Sequence, residues 1–229
     1  MERDPPLRRV QLDAGPMNAL NLEAVVELAD ALKPDEDAPV VVLHGRSDAF
    51  CAGLDNATLS RAGAEREELL AAMGELLLAA VRGPTRLVAA CAGHAVAAGA
   101  MLLLVADLRI GARCDYKVGF TEPRLGLALP ELPALLARER LERRRLHELT
   151  VLGRTVGPEA ALAAGFLDEI VPEEELENVA AKRAREIAAL SDSAYRGSVS
   201  SVWGGAIERM SQLVRAQLEK RDAAREAAV

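Results

Sequence analysis

Two runs of very small residues stand where they could expose backbone N–H groups to a ligand. Residues 48–55 read DAFCAGLD and follow an apolar run that ends at His44. Residues 91–100 read CAGHAVAAGA and lie between a second apolar run and a predicted helix. Small side chains allow close approach to the backbone, and the free N–H groups of a helix's first turn attract negative charge. Two such turns aimed at one point would form an oxyanion hole, which suits the enolate of a thioester. Ordinary close packing is the alternative interpretation of either run alone.

Glu122 is the side chain best suited to move a proton. It lies between Phe120 and Leu125, just after a strand-like stretch. Burial in apolar surroundings would raise the pKa of its carboxyl group and make it a usable base. The alternative is a surface loop in which Glu122 pairs with Arg124.

Other kinds of site find little support in the sequence. The three cysteines and three histidines are scattered, without the spacing of a zinc site or a disulfide framework. Neither GxGxxG nor GxxxxGK[ST] occurs, so no phosphate-binding loop is predicted. Cys51 is better explained as a small buried thiol than as a nucleophile, because no histidine can be placed beside it. We therefore predict no metal site and no bound cofactor.

The composition favours a large aliphatic core and an acidic surface. The chain has 229 residues, of which half are hydrophobic and only 3% aromatic, and its net charge is −7. The charge argues against nucleic-acid or anionic-membrane partners. The longest apolar stretch, residues 95–106, is too short to span a bilayer, and residues 1–10 lack the apolar run of a signal peptide. These features predict a cytoplasmic protein.

Apolar patterns divide the first half of the chain into alternating strands and helices. Strands are predicted over residues 7–12, 40–44, 87–92 and 108–110, and helices over residues 22–32, 65–81 and 100–105. Residues 50–55 and 93–99 are predicted as a turn and a loop. The alternation predicts an α/β sheet with right-handed crossovers, in which both small-residue runs follow buried strands.

Beyond Pro130 the pattern becomes helical. The predicted helices cover residues 132–152, 158–164, 173–190 and 206–227. We predict an α/β core over residues 1–185 and a helical region over residues 186–229. The terminal segment has few neighbours in its own chain to bury its apolar stripe, so we expect it to pack across a subunit interface.

Five of these segments together resemble the crotonase (enoyl-CoA hydratase/isomerase) family. The similarity extends from about residue 10 to residue 171, with the motifs in the family's order and at fitting spacing. They are PMNAL at residues 16–20, FCAGLD at 50–55, AGHAVAAG at 92–99, ADLRI at 106–110 and AALAAGFLDEIV at 160–171.

The resemblance implies a spiral of ββα repeats with a helical C-terminal trimerisation region, assembled as a homotrimer or a dimer of trimers. The substrate would be an acyl-CoA thioester, with coenzyme A as part of the substrate. By position, the N–H groups of Leu54 and Ala98 would hold the thioester oxygen. The family's second loop is usually glycine-rich where this chain has Ala97 and Ala98. The further substrate-binding positions implied are Ala52, Gly53, Asp55, Gly99 and Met101.

Two positions bear on the reaction that the resemblance implies. Hydratases of the family carry two glutamates, and Met101 stands at the position of the first. Glu122, followed by PRLG, fits the second. The pair Thr121-Glu122 is similar to the Asn-Glu pair of the family's Δ3,Δ2-enoyl-CoA isomerases, which use a single glutamate. The resemblance therefore favours isomerisation of 3-enoyl-CoA to 2-enoyl-CoA, in fatty acid metabolism.

Several alternatives stay open. A hydratase could use Glu131, nine residues after Glu122, as a possible second acid. A decarboxylase or thioesterase would use the same oxyanion chemistry. A non-catalytic acyl-CoA-binding protein is the alternative from another class. The basic run at residues 138–145 could meet coenzyme A phosphates or form a solvated helix face.

Overall fold

The computed structural model describes residues 7–35 and 37–227. Its strands are β1 (Arg8–Gln11), β2 (Val40–His44), β3 (Ala49–Cys51), β4 (Arg86–Cys91), β5 (His94–Val96), β6 (Leu108–Ala112), β7 (Val118–Gly119) and β8 (Glu169–Val171). Its α-helices are α1 (Leu22–Ala31), α2 (Asn56–Leu59), α3 (Ala64–Arg82), α4 (Ala98–Val105), α5 (Glu131–Arg140), α6 (Leu146–Thr150), α7 (Pro158–Ala164), α8 (Leu176–Ala188) and α9 (Asp192–Glu226). Short 3-10 helices cover Pro16–Asn18, Glu122–Leu125 and Glu173–Glu175. The predicted α/β core includes residues 1–6, and the predicted helical region includes residues 228–229. These residues, which also bear on the signal-peptide prediction, lie outside the described ranges.

From β2 onward, consecutive strands alternate between two parallel sheets. The larger sheet has the order β1-β2-β4-β6-β8, and the smaller has the order β3-β5-β7. The pairs β2–β3, β4–β5 and β6–β7 each give one strand to either sheet, and a helix follows each pair. Every turn of the chain therefore stacks a ββα unit beside the previous one. The predicted α/β spiral is confirmed.

The larger sheet is buried on both faces because its central strands are continuous apolar runs. In β2, Val41 and Leu43 belong to the main core, whereas Val40 and Val42 face the other way. There they pack in a second apolar cluster with residues of α8 such as Ala180. The alternation follows the two-residue period of a strand.

The smaller sheet corrects two predictions. Residues 50–55 were expected to be a turn, but β3 runs to Cys51 before the chain bends. Residues 93–99 were expected to be a loop, but they contain β5. Each strand of this sheet has only two or three residues, which is too short to produce a recognisable period.

Two helix predictions also need correction. The single helical pattern over residues 132–152 is divided into α5 and α6 by a turn between them. The last helix begins at Asp192 rather than at residue 206, with Ser191 accepting a hydrogen bond from the Ala194 N–H at its start. Its first part is rich in Gly and Ser, so helical propensity and apolar spacing are both weak there.

The expectation that the terminal stripe finds few neighbours in its own chain is wrong. Ala206, Met210 and Val214 of α9 are buried, and α9 packs along α3. Gln217 of α9 also donates a 2.6 Å hydrogen bond to Glu67 of α3. The boundary between residues 185 and 186 falls inside α8 and stays a prediction. No helix within the described ranges is long and apolar enough to cross a membrane.

Candidate active site

The three predicted site segments follow the three strands of the smaller sheet. Leu54 follows β3, Ala98 follows β5 and Glu122 follows β7. Because the strands are parallel neighbours in the order β3-β5-β7, all three segments leave the same edge of the sheet. Adjacent strands lie about 4.8 Å apart, so this edge brings the segments together.

The first loop, residues 52–55 after β3, is hydrogen-bonded to the segment that precedes α1. Leu20 N–H donates to the Gly53 carbonyl (2.9 Å), and Asp55 N–H donates to the Leu20 carbonyl (2.8 Å). These bonds flank Leu54, whose own N–H has no acceptor among the described residues. The amide of Leu54 is therefore free to bind a ligand.

The remaining positions in the first loop support it. Asp55 caps α2 by accepting bonds from the N–H (2.8 Å) and hydroxyl (2.7 Å) of Thr58, and these bonds lower the pKa of its carboxyl group. Burial raises the pKa of the Cys51 thiol to about 12, so Cys51 is an inert core residue at neutral pH. Ala52 is half-buried and Gly53 is buried.

The second loop, where β5 leads into α4, contains a backbone conformation that alanine rarely adopts. Ala97 has φ 51° and ψ −115°, and its N–H donates to the Gly119 carbonyl of β7 (3.0 Å). Its carbonyl accepts the first bond of α4, from Met101 N–H (3.1 Å). Ala98 is the first residue of α4, so its N–H lies in the helix's unpaired first turn, and none of the described residues accepts from it.

The first and second loops are packed against each other. A side-chain carbon placed on Gly53 would lie 3.2 Å from the Ala97 Cβ and 3.9 Å from the Ala98 nitrogen. One placed on Gly99 would lie 2.0 Å from the Cys51 carbonyl oxygen, so only glycine fits at this crossing. The free N–H groups of Leu54 and Ala98 thus belong to adjoining loops.

The carboxyl group of Glu122 is partly buried at the start of its 3-10 helix. Its Oε2 is inaccessible to solvent and has no hydrogen-bond partner among the described residues. Burial raises the pKa of Glu122, and hydrogen bonds from the N–H groups of Glu122 and Thr121 oppose this only in part. Arg124 does not pair with it, because its Nε donates instead to the Gly153 carbonyl (2.8 Å). The carboxyl group is therefore a desolvated base with a free oxygen.

Met101 and Glu131 differ sharply in their surroundings. Met101 is 9% exposed and packs in the main core on α4. Glu131 begins α5, is about half exposed, and forms an ion pair with Arg209 of α9 that includes a 3.0 Å bond from Nε. Its carboxylate is held by a cation through Oε1 and is open to solvent, unlike the desolvated carboxyl group of Glu122.

The basic run at residues 138–145 does not form one continuous face. Arg140 turns inward and donates to the carbonyls of Leu104 (3.1 Å) and Ala106 (2.8 Å). Arg138 and Arg143 line an open cavity of about 610 Å³ beside Pro123. The described residues contain no group of His, Cys, Asp and Glu side chains arranged to hold a metal ion.

Sequence reasoning missed two supports of the site. Asn18 is fully buried and binds Ala14 N–H, the Leu12 carbonyl and the Ala49 carbonyl, which fixes the start of β3. The segment of residues 153–156 contacts the chain on either side of Glu122. The signal for the second was Gly153, a glycine just after a helical pattern.

Comparisons with known proteins show the family and the fold of the chain. The family model described as enoyl-CoA hydratase/isomerase matches residues 6–220. A probable enoyl-CoA hydratase, EchA8, of Mycobacterium bovis is 33% identical over 196 residues, which cover 81% of this chain and 73% of that protein. The crystal structure of a probable enoyl-CoA hydratase, EchA3, from Mycobacterium tuberculosis has a TM-score of 0.86 at 28% identity and covers 96% of this chain and 94% of its own. That of human mitochondrial delta3-delta2-enoyl-CoA isomerase has a TM-score of 0.87 at 26% identity and covers 93% of this chain and 85% of its own.

Proposed function

The chain belongs to the enoyl-CoA hydratase/isomerase family, and we propose that it isomerises 3-enoyl-CoA to 2-enoyl-CoA with Glu122 as its base. One observation carries the proposal. The loops after three neighbouring parallel strands carry two free backbone N–H groups, those of Leu54 and Ala98, and a desolvated carboxyl group, that of Glu122. This is the arrangement that abstraction of a proton next to a thioester requires.

In the proposed reaction, coenzyme A is part of the substrate, and its thioester oxygen accepts hydrogen bonds from Leu54 and Ala98. The Glu122 carboxylate removes a proton from C2, and the electron pair moves onto the thioester oxygen to give a dienolate. Protonated Glu122 then gives the same proton to C4, and the double bond settles between C2 and C3. One carboxyl group thus acts first as base and then as acid, and no proton is gained or lost overall.

Two features support a single-base reaction. Burial raises the pKa of Glu122, which strengthens it as a base and allows its protonated form to persist until C4 is reached. Met101 is apolar and buried at the position where the family resemblance puts the first of the two hydratase glutamates, so it can neither hold a water molecule nor move a proton. Exclusion of water favours return of the proton to carbon.

Hydration of 2-enoyl-CoA is the second candidate, because relatives such as EchA8 are described as probable enoyl-CoA hydratases. It needs a second acid to share the work with Glu122. Glu131 is the nearest candidate in sequence, and its ion pair with Arg209 argues against that role. The isomerase proposal therefore has the stronger support from the side chains.

Self-association is part of the proposal. Four large apolar side chains at the ends of the 3-10 helix and of α6 are more than half exposed: Leu125, Leu127, Val151 and Leu152. Leu127 and Val151 line the same open cavity. Such a patch is typical of an interface between subunits. Because α9 buries its apolar stripe on α3, we propose this patch as the surface that forms the homotrimer or dimer of trimers.

Light scattering coupled to size-exclusion chromatography tests the patch. We expect Leu127→Glu combined with Val151→Glu to yield monomers, whereas Val202→Glu, on an exposed position of α9, keeps the native mass. Monomers from the Val202 variant alone would instead assign the interface to α9.

The reaction is tested with purified protein, trans-3-hexenoyl-CoA and crotonyl-CoA. We expect conversion of the 3-enoyl substrate, little hydration of crotonyl-CoA, and a loss of turnover by a factor of about 10²–10⁴ in Glu122→Gln. Glu131→Gln is the matched control and should retain most of the activity. Hydration that survives Glu122→Gln and disappears in Glu131→Gln would overturn the assignment. Binding of acyl-CoA without turnover of either substrate would favour a non-catalytic role.

A further inference from the structure

The segment of residues 153–156, here called the brace, holds the chain on both sides of Glu122. Before Glu122, Val118 and Val156 exchange two backbone hydrogen bonds of 2.9 Å. After Glu122, Arg124 Nε donates to the Gly153 carbonyl at 2.8 Å. The stretch from β7 to the 3-10 helix that contains Glu122 is therefore bonded to the brace at both ends.

A positive φ and close contacts both favour glycine at the start of the brace. Gly153 has φ 59°, and a side-chain carbon there would lie 3.2 Å from Pro123 Cδ and 3.3 Å from Arg124 Cγ. The Pro123 and Arg124 side chains would have to move by a few tenths of an ångström to admit it. The brace thus meets the two residues that directly follow Glu122 without room to spare.

The brace is itself anchored to α6. Arg154 N–H donates to the Glu148 carbonyl (3.2 Å), and its side chain forms an ion pair with the Glu148 carboxylate (2.5 Å). Glu148 also accepts a 3.0 Å bond from Arg145. A chain of contacts therefore runs from α6 through the brace to Arg124.

Arg124 makes its contact without neutralising the base. Its Nε bonds to a neutral carbonyl, and Glu122 Oε2 stays unpartnered. A direct ion pair with Arg124 would lower the pKa of Glu122 and weaken it as a proton acceptor. The observed arrangement fixes the position of the turn and leaves the carboxyl group basic.

We propose that Arg124 is a positioning residue for Glu122, which rests on the proposed function. Its bond to Gly153 fixes the 3-10 helix and so holds the Glu122 carboxyl group in its desolvated place opposite the Leu54 and Ala98 amides. A displacement of about 1 Å in a reacting group can lower the rate about 10²-fold. Arg124 therefore acts on the rate through Glu122 and touches no reacting atom.

Steady-state kinetics with trans-3-hexenoyl-CoA test the proposal. We expect Arg124→Ala to lower kcat about 10- to 100-fold with KM within about threefold, and Arg124→Lys to recover part of the loss. The acid limb of the kcat–pH profile should move to lower pH in Arg124→Ala, because a displaced carboxyl group becomes hydrated. Arg113→Ala is the control, since its one side-chain contact among the described residues is an ion pair with Glu159 on the surface, away from Glu122 in the sequence and in its contacts.

Amide hydrogen exchange followed by mass spectrometry gives a readout that does not depend on turnover. Leu127 N–H bonds to the Glu122 carbonyl (3.0 Å) and Gly126 N–H to the Pro123 carbonyl (3.2 Å). We expect faster exchange in Arg124→Ala at these amides and unchanged exchange in the larger sheet. Unchanged exchange and kcat, or faster exchange throughout the chain, would overturn the positioning role. A wild-type protein that does not convert 3-enoyl-CoA would overturn the proposed function while the exchange result still tests the brace.

Discussion

Asp107 and Glu122 are both carboxylic acids shielded from solvent, but they differ in their hydrogen bonding. Both oxygens of Asp107 are paired: one accepts from the Leu87 N–H (2.7 Å) and the other from the Tyr195 hydroxyl (2.9 Å). Glu122 keeps one oxygen buried and unpaired. Burial raises the pKa of both groups. Pairing makes Asp107 a fastener between elements, whereas the lack of a partner leaves Glu122 available to a substrate.

The surroundings of the two groups differ in the same way. Near Asp107, the fully buried Arg86 stacks on the Tyr195 ring (4.8 Å) and binds Asp192 (2.6 Å), which ties β4 to the start of α9. Near Glu122, the neighbours are short strands and loops that leave N–H groups free. The polar groups around Asp107 bind one another and stabilise the fold, whereas those around Glu122 keep free donors and a free acceptor.

The largest expected effect tests this contrast through activity. Glu122→Gln should lower kcat by a factor of about 10²–10⁴, because no other carboxyl group takes over the proton. Asp107→Ala should change kcat per folded molecule by less than about threefold, because its partners are structural. Both variants are assayed with trans-3-hexenoyl-CoA after the folded fraction is measured by circular dichroism. Equal losses in the two variants would remove the distinction.

The second prediction reverses the ranking and concerns stability. Asp107→Ala should reduce the free energy of unfolding by about 2–4 kcal/mol, because it leaves the Leu87 N–H and the Tyr195 hydroxyl without their acceptor and removes a negative charge near Arg86 and Arg140. Tyr195→Phe removes one of these bonds and should reduce it by about 1 kcal/mol. Urea denaturation measures both, and a smaller loss in Asp107→Ala than in Tyr195→Phe would contradict the fastening role.

The third prediction is the pH dependence of Glu122. Because the folded state raises its pKa, the group contributes stability that is fully present below its unfolded pKa and is lost as pH rises through the folded pKa. Glu122→Gln should therefore gain stability relative to the wild type between acidic pH and pH 8. The same ionisation supplies the base, so wild-type kcat should rise over that range. Urea denaturation and kinetics at several pH values measure the two curves, and a relative gain towards acid would contradict the raised pKa.

The sequence predicts the two regions unequally. The strand Val40–His44 and helix α1 are local patterns, and their bounds agree with the prediction to within one residue. The motif around Glu122 is also local, so Glu122 could be proposed as a candidate base from the sequence. Elements of this kind can be predicted because they depend on the periodicity and turn chemistry of neighbouring residues.

The parts that escaped prediction depend on partners far along the chain. Arg124 meets Gly153 and α9 meets α3, across separations that no periodicity encodes. The two or three residues of β3, β5 and β7 form strands only because their neighbours pair with them. Whether an expected surface pair such as Glu122 and Arg124 forms is likewise decided by which partner the fold brings nearer.

The smallest expected effect concerns backbone strain, which also occurs in the candidate active site and not around Asp107. The residues other than glycine with positive φ in the described ranges are Met17, Asn18 and Ala97, all in or beside the first two loops. Ala97→Gly should raise the free energy of unfolding by about 1 kcal/mol, because glycine adopts this conformation without strain. Ala98→Gly, in the first turn of α4, is the matched control and should lower it by a few tenths to about 1 kcal/mol. Urea denaturation measures the free energy of unfolding of both variants. A gain in stability with an unchanged rate would show that the strain is incidental, whereas a gain accompanied by a slower rate would show that the Ala97 methyl group helps to set the direction of the Ala98 amide.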